Sequence, residues 1–211
     1  FGVGSAVAPD WGATGRSPKG SGKIADEAMA LVTRLWREDA VTFEGEHFHY
    51  VDARIEPKPV QKHIPFWICG SSKPAIPRTA EFGTGWQAGQ ETADELPPVL
   101  DAIKAAVAKA GRKIDDDHYG AGFHFRFGGW EDADLPKRTA AFAKRTGRDP
   151  KLHFAVGDAD AILARIEGYA KVGISKFILR PIGLTDADLM AQTEKLVAEV
   201  IPEAEKLTAA V

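Results

Sequence analysis

Gly70-Ser71-Ser72 is the stretch of this sequence best equipped to hold a ligand. Phe66 to Ile68 before it reads as a short buried strand, and a helix-compatible segment begins near Lys73-Pro74, where proline suits a first turn. A strand, a small hydroxyl-bearing loop and a helix start gather backbone N–H groups around a phosphate or another anion. The plain alternative is a connection whose serines only cap the helix. Gly2-Val3-Gly4 offers a second close backbone approach to a ligand ring or phosphate, or else a tight strand-to-loop turn. The dinucleotide fingerprint is not met there, because no third glycine opens a helix at the right spacing.

Arg126 and Arg180 each stand at or near the end of an expected strand, where a guanidinium suits an anionic group; an internal salt bridge is the alternative. His47 and His49 share one face of an expected hairpin, a spacing metals use, but no third ligand accompanies them, and solvent-facing histidines are the simpler reading. Asp115-Asp-Asp-His-Tyr119 has the composition of a calcium or general-base cluster, and a solvated turn before a strand is the simpler reading. No metal site is assigned. Ser71 has no Ser/His/Asp context, so it is not read as a nucleophile, and no catalytic residue is assigned. Cys69, in an apolar strand, reads as a buried small hydrophobe.

The elements that must position these residues alternate. Phe1 to Gly22 is a strand tail and a long glycine-rich loop, a candidate lid. Ile24 to Trp36 predicts an amphipathic helix with Ala28, Leu31, Val32, Leu35 and Trp36 on one stripe. Val41 to Val51 switches to period two around Glu44-Gly45, a hairpin. After Trp86, a helix carries Leu96, Leu100, Ile103 and Val107, with Gly111 as its stop. Phe123, Phe125 and Phe127 share one strand face, with His124 and Arg126 on the other. A helix is expected through Lys137 to Lys144, and a short strand over Leu152 to Val156. Asp158 starts another helix, Lys176 to Arg180 is a buried strand, and Thr185 with Asp188 opens the last helix, which Pro202 bends or interrupts. Strands followed by helices imply parallel strands with crossover helices, so a site belongs at strand carboxyl ends. The pattern leaves both an open doubly wound sheet and a closed barrel available.

The 211 residues, 44% hydrophobic and 27% charged with a net charge of −3, are an ordinary globular composition. Charges of both signs are interspersed, which gives no footprint for nucleic acid, and no run approaches the roughly 20 apolar residues of a membrane helix. A single cysteine excludes an internal disulfide and fits a reducing cytoplasm.

Leu35-Trp36 ahead of Phe43-Glu-Gly45, then Pro57-Lys-Pro59-Val60-Gln61, Ile64-Pro65, Gly70-Ser71-Ser72 and Gly85-Trp86, resemble the bacterial-luciferase-like oxidoreductases. Asp117-His-Tyr-Gly120 is most similar to their deazaflavin-dependent branch. Gly157-Asp158 and Gly173 continue the likeness over nearly the whole chain. The resemblance implies an α/β TIM (β/α)8 barrel of luciferase-like type, truncated at its N-terminal side, with strands four to eight present. Residues 1–211 are then a single partial barrel domain: 1–23 a strand end and loop, 41–60 a hairpin excursion, 64–211 strands five to eight with their helices.

By the same resemblance Gly70, Ser71 and Ser72 hold the phosphate of a deazaflavin coenzyme (factor 420), or of FMN as the alternative. Gly2, Val3 and Gly4 line its ring or ribityl chain. The implied activity is hydride transfer between a deazaflavin and a small organic substrate, with an FMN-dependent monooxygenase as the alternative. The resemblance further implies a homodimer. Two departures stand out: Ser5-Ala-Val-Ala-Pro9 lacks the acidic residue that follows the glycines in the family, and the N-terminal active-site residues are absent. These departures leave a third reading, a non-catalytic remnant or interaction subunit.

Overall fold

In the computed structural model, residues 12–15, 17, 19–61, 63–132 and 134–208 are described. The chain divides into two compact units: residues up to Trp86 together with Ile103–Ile114, and Gln87–Ala102 together with the residues from Asp115 onward.

The first unit begins with α1, Ser21–Arg37. Its buried side chains are Ala25, Met29 and Leu31, so the inward stripe is rotated from the expected one, and Trp36 packs instead on Phe66, ring centroids 5.1 Å apart. The hairpin follows as β1, Val41–Glu44, and β2, His49–Ala53, paired antiparallel. Glu27 of α1 holds its turn by accepting the backbone N–H groups of Glu46, His47 and Phe48. Burial opposes the Glu27 carboxylate, yet these donors together keep its pKa below the ordinary value.

Next come β3, Trp67–Cys69, then α2, Ala75–Phe82, and β4, Gly85–Gln87. Buried Arg78 ties α2 to α1 through the Asp26 carboxylate and the Gly22 carbonyl. The helix α3, Pro97–Lys109, whose residues from Ile103 on belong to this unit, buries Leu100, Ile103 and Val107 of the stripe read from sequence, and Leu96 just ahead of it is buried as well.

In the second unit β5, Tyr119–Phe127, is flanked by two parallel strands: β6, Phe154–Gly157, and β7, Lys176–Pro181. Phe123, Phe125 and Phe127 are buried while His124 and Arg126 are only partly so, the alternation the sequence predicts. Between β5 and β6 lie α4, Leu135–Thr146, and the one-turn α5, Pro150–His153. That turn corrects the strand expected over Leu152 to Val156. Pro150 presets a helical φ and the Asp149 side chain accepts the Lys151 N–H, so the chain turns once before extending at Phe154.

The helix α6, Ala159–Ala170, is capped by Asp158, and α7, Asp186–Lys195, by Thr185. A π-turn over Leu196–Val200 then leads into α8, Ile201–Thr208, so the last helix is interrupted just ahead of Pro202. Leu135, Phe154 and Ile182 form a buried cluster against which Phe142 and Val156 pack. The fold class is α/β with parallel strands, and among the described residues the strands of neither unit close on themselves.

Candidate functional site

In the first unit the chain leaves β3 through Gly70, whose φ of 93° falls in the left-handed region that other residues rarely adopt. The Gly70 carbonyl accepts the indole N–H of the fully buried Trp86 at 2.9 Å, which sets the direction of the loop. The N-cap position of α2 is Pro74, and no side chain caps this helix, so the serines are not the caps of the plain alternative. The Ser72 carbonyl accepts the N–H groups of Ala75 at 2.8 Å and Ile76 at 3.4 Å. The first helical N–H groups are therefore used internally. The donors left to the loop include the Ser72 hydroxyl and the Lys73 ammonium, both exposed. A glycine turn, two serines and a lysine are a donor set that fits a phosphate group. Gly2, Val3 and Gly4, and most of the loop from Ser5 to Gly22, lie outside the described residues.

The second unit holds a recess of about 130 Å³ beside the middle of β5. The β5 register pairs with β6 only from His124 onward, and the Ala88 N–H reaches the Gly120 carbonyl at 2.8 Å. Gly122 and Phe123, between these two contacts, line the recess together with Gly89, Gln90 and Glu91. A side chain at Gly122 would place its Cβ 2.9 Å from the Ile178 carbonyl, so only glycine lets β7 pair this closely.

Arg180, also lining the recess, is exposed and makes no hydrogen bond or ion pair with any described residue. It sits opposite His124 in the β5–β7 register. The His124 ring stacks on Phe154 with centroids 5.5 Å apart. Burial first, then the charges of Arg180 and Arg138, push the His124 pKa below its ordinary value. His153 in the same wall is lowered mainly by burial and next by Arg148. Both imidazoles are thereby held neutral near neutral pH.

Arg145 adds a second guanidinium, 5.9 Å over the Phe142 ring. Glu91 supplies the one carboxylate of the lining and accepts the Gly89 N–H, while its carbonyl accepts the Tyr169 hydroxyl at 2.9 Å. Two guanidiniums against one carboxylate, walled by aromatic rings, suit a compact anion.

Arg126 differs. Its Nη1 donates to the Ile182 carbonyl at 2.7 Å and to the Asp188 carboxylate at 3.1 Å, and its side chain is 12% exposed. The Leu184 N–H first and Arg126 next keep the Asp188 pKa low against the opposing effect of burial. Arg126 is thus committed to the internal salt bridge held as its alternative, while its Nε is buried without a partner among the described residues. Asp188 lies 62 residues further on, which is why the spacing of the sequence could not pair them.

Placement bears on three further expectations. His49 lies in β2 against Glu44, but His47 lies in the turn with its N–H on Glu27, so the two histidines do not share a strand face. Cys69 is exposed rather than buried: it ends a three-residue strand on the face opposite buried Ile68. Asp115, Asp117 and His118 bring ligand atoms within 4.8 Å of one another, with the Lys176 ammonium 3.4 Å from Asp117. Arg145, His153 and Tyr169 were missed as lining residues. Each sits on a helix away from β5 in sequence, and nothing in its local pattern marks it.

The chain is 34% identical over 93 residues to an F420-dependent glucose-6-phosphate dehydrogenase of Microbacterium testaceum, an alignment covering 43% of this chain and 27% of that enzyme. Among solved structures, an F420-dependent secondary alcohol dehydrogenase in complex with an F420-acetone adduct superposes with a TM-score of 0.76 at 19% identity, over 96% of this chain and 68% of that one. The oxygenating constituent of 3,6-diketocamphane monooxygenase from Pseudomonas putida, in complex with FMN, gives 0.70 at 15% identity, over 96% and 70%. Both share the fold, which is of the luciferase-like TIM-barrel type. The family model for luciferase-like monooxygenases matches residues 1–133, and the chain belongs to that family.

Proposed function

We propose that this protein is a luciferase-like oxidoreductase passing a hydride between a deazaflavin coenzyme and an organic substrate that carries an anionic group. The observation that carries the substrate half is Arg180, an exposed cation without a partner among the described residues, in a recess with Arg145 and two neutral histidines. The cofactor half rests on the Gly70–Ser72 loop and on the name of the Microbacterium relative. When bound, the coenzyme supplies the ring carbon that takes or gives the hydride.

The chain's own residues bind and orient. Gly70, Ser71 and Ser72 receive the coenzyme phosphate, Lys73 adds charge to that contact, and Trp86 keeps the loop in place through the Gly70 carbonyl. Arg180 and Arg145 seat the substrate's anion, and the aromatic walls of Phe142 and Phe154 keep water from it. In this reading the protein works in the cytoplasm as a homodimer. No helix among the described residues is long and apolar enough to cross a membrane.

The second reading, an FMN-dependent monooxygenase, is favoured by the FMN bound in the camphane-type neighbour. Titrating oxidised deazaflavin and FMN separately into the protein decides between them. Deazaflavin binding without FMN binding is the expected result; the reverse supports the monooxygenase, and binding of neither supports a remnant without a working site. Ser71→Ala with Ser72→Ala should weaken deazaflavin binding about tenfold, and unchanged affinity overturns the phosphate assignment.

A further inference from the structure

The first unit holds a larger cavity, about 520 Å³, that the reading above does not use. It lies at the opposite end of β3 and β4 from the Gly70 turn, since Ile64 and Phe66 lead into β3 and Thr84 leads into β4. Trp36 and Phe66 form one wall, with rings 5.1 Å apart and tilted 31°, and Phe82 adds a third ring. This volume and aromatic lining are those of a small-molecule pocket.

Its polar groups are unevenly matched. The hydroxyls of Thr33 and Thr84 already donate to the carbonyls of Met29 at 2.7 Å and Phe66 at 3.0 Å, so toward a ligand they can only accept, and the donors for an anion are the guanidiniums. Arg112 is fixed by the carbonyls of Ala80 at 2.6 Å and Gly83 at 2.8 Å, bonds that hold the guanidinium without cancelling its charge. Arg37 donates to His63 Nδ1 and has no carboxylate partner among the described residues. Burial first and the charge of Arg37 second lower the Arg112 pKa, while Glu81, the one acid of the lining, opposes them. Two guanidiniums that repel each other therefore stand beside three aromatic rings, and an anion placed there relieves the repulsion.

We infer that this cavity is a binding site for a small aromatic anion, its ring against Trp36 and Phe66 and its acid group on Arg37. The ring wall selects a flat apolar body, and the surplus guanidinium selects a carboxylate or sulfonate over a hydroxyl. The site stands independently of the cofactor loop and of Arg180.

2-Naphthoate and its uncharged counterpart 2-naphthol, titrated separately into the protein, are the probes, with the NMR signals of the Trp36 indole and the His63 ring as readout. Naphthoate should shift both signals saturably and bind at least tenfold tighter than naphthol. Arg37 is exposed, so Arg37→Gln leaves the fold intact by circular dichroism and should lower naphthoate affinity about tenfold, or 1.4 kcal/mol. The inference is overturned if naphthol binds as tightly as naphthoate, or if Arg37→Gln leaves the affinity unchanged. It also fails if naphthoate does not saturate at millimolar concentration, or if only His124 and His153 respond.

Discussion

Arg126 and Arg180 occupy similar places on adjacent strands of the second unit, and both project from the sheet face that the buried phenylalanines avoid. Their surroundings are opposite. Arg126 is folded onto the Ile182 carbonyl and Asp188, and so fastens the start of α7 to the end of β5. Gln192, one turn further along α7, pins the same strand end by bonding both the N–H and the carbonyl of Phe127. Arg180 faces a recess with aromatic walls and neutral imidazoles, and no carboxylate meets it among the described residues. A guanidinium with a carboxylate at 3.1 Å supports the fold, whereas one left unpaired at a strand end is available to a ligand.

The largest expected effect lies on the committed arginine. Arg126→Ala removes the charge-assisted bonds to Asp188 and strands the Ile182 carbonyl. A one-sided break in a buried pair costs about 3–5 kcal/mol, but Asp188 is 28% exposed and keeps the Leu184 N–H. A loss of about 2–3 kcal/mol in urea unfolding is therefore expected, with phosphate binding at the recess unchanged. If stability moved by less than 0.5 kcal/mol, roughly the effect of an ordinary surface substitution, the division of roles would fail on this side.

Arg180→Ala should do the reverse. With no partner to strand, it should leave stability within about 0.5 kcal/mol, while inorganic phosphate binding weakens about tenfold, or 1.4 kcal/mol. A matching loss in kcat/KM carried mainly by KM would place Arg180 in substrate binding rather than in the chemical step.

How much of this could be read in the sequence depended on range. The Phe123, Phe125 and Phe127 alternation, the α3 stripe and the Asp158 and Thr185 caps are set by residues within a few positions of each other, and the structure has them where the pattern puts them. The Gly70 turn was legible for the same reason, but the Trp86 bond that orients it, 16 residues away, was not. The recess assembles Gly89, Arg145, His153 and Arg180 from four separate segments, and only the strand-end position of Arg180 hinted at it. Cys69 was misplaced because a strand of three residues gives too short an alternation to tell its faces apart.

A smaller effect distinguishes the two arginines by pH. The folded Asp188 pKa lies below its ordinary value, so Asp188 stabilises the fold at pH values above the unfolded carboxyl pKa. That contribution is lost as pH falls through the folded value. Unfolding free energy should therefore decline on the acid side in the native protein, and decline less in Asp188→Asn. An unaltered acid limb in that variant would mean that the Leu184 N–H and Arg126 give the carboxylate no preference for the folded state.

On the recess side the sign is set by a base. The His124 pKa is lowered from 6.5, chiefly by burial and next by Arg180, so the neutral ring is the favoured form in the folded protein. The stability this form contributes is present above the unfolded imidazole value and is lost as pH falls through the folded one. Arg180→Ala removes the second cause and leaves the first, so the His124 pKa followed by NMR should rise without reaching 6.5. Phosphate should raise it in the native protein by offsetting the Arg180 charge, and the same rise in the variant should need about tenfold more phosphate. A native His124 pKa insensitive to phosphate would put the bound anion elsewhere than beside Arg180, even if Arg180→Ala weakened its binding, because a charge in that recess must act on an imidazole placed opposite the arginine.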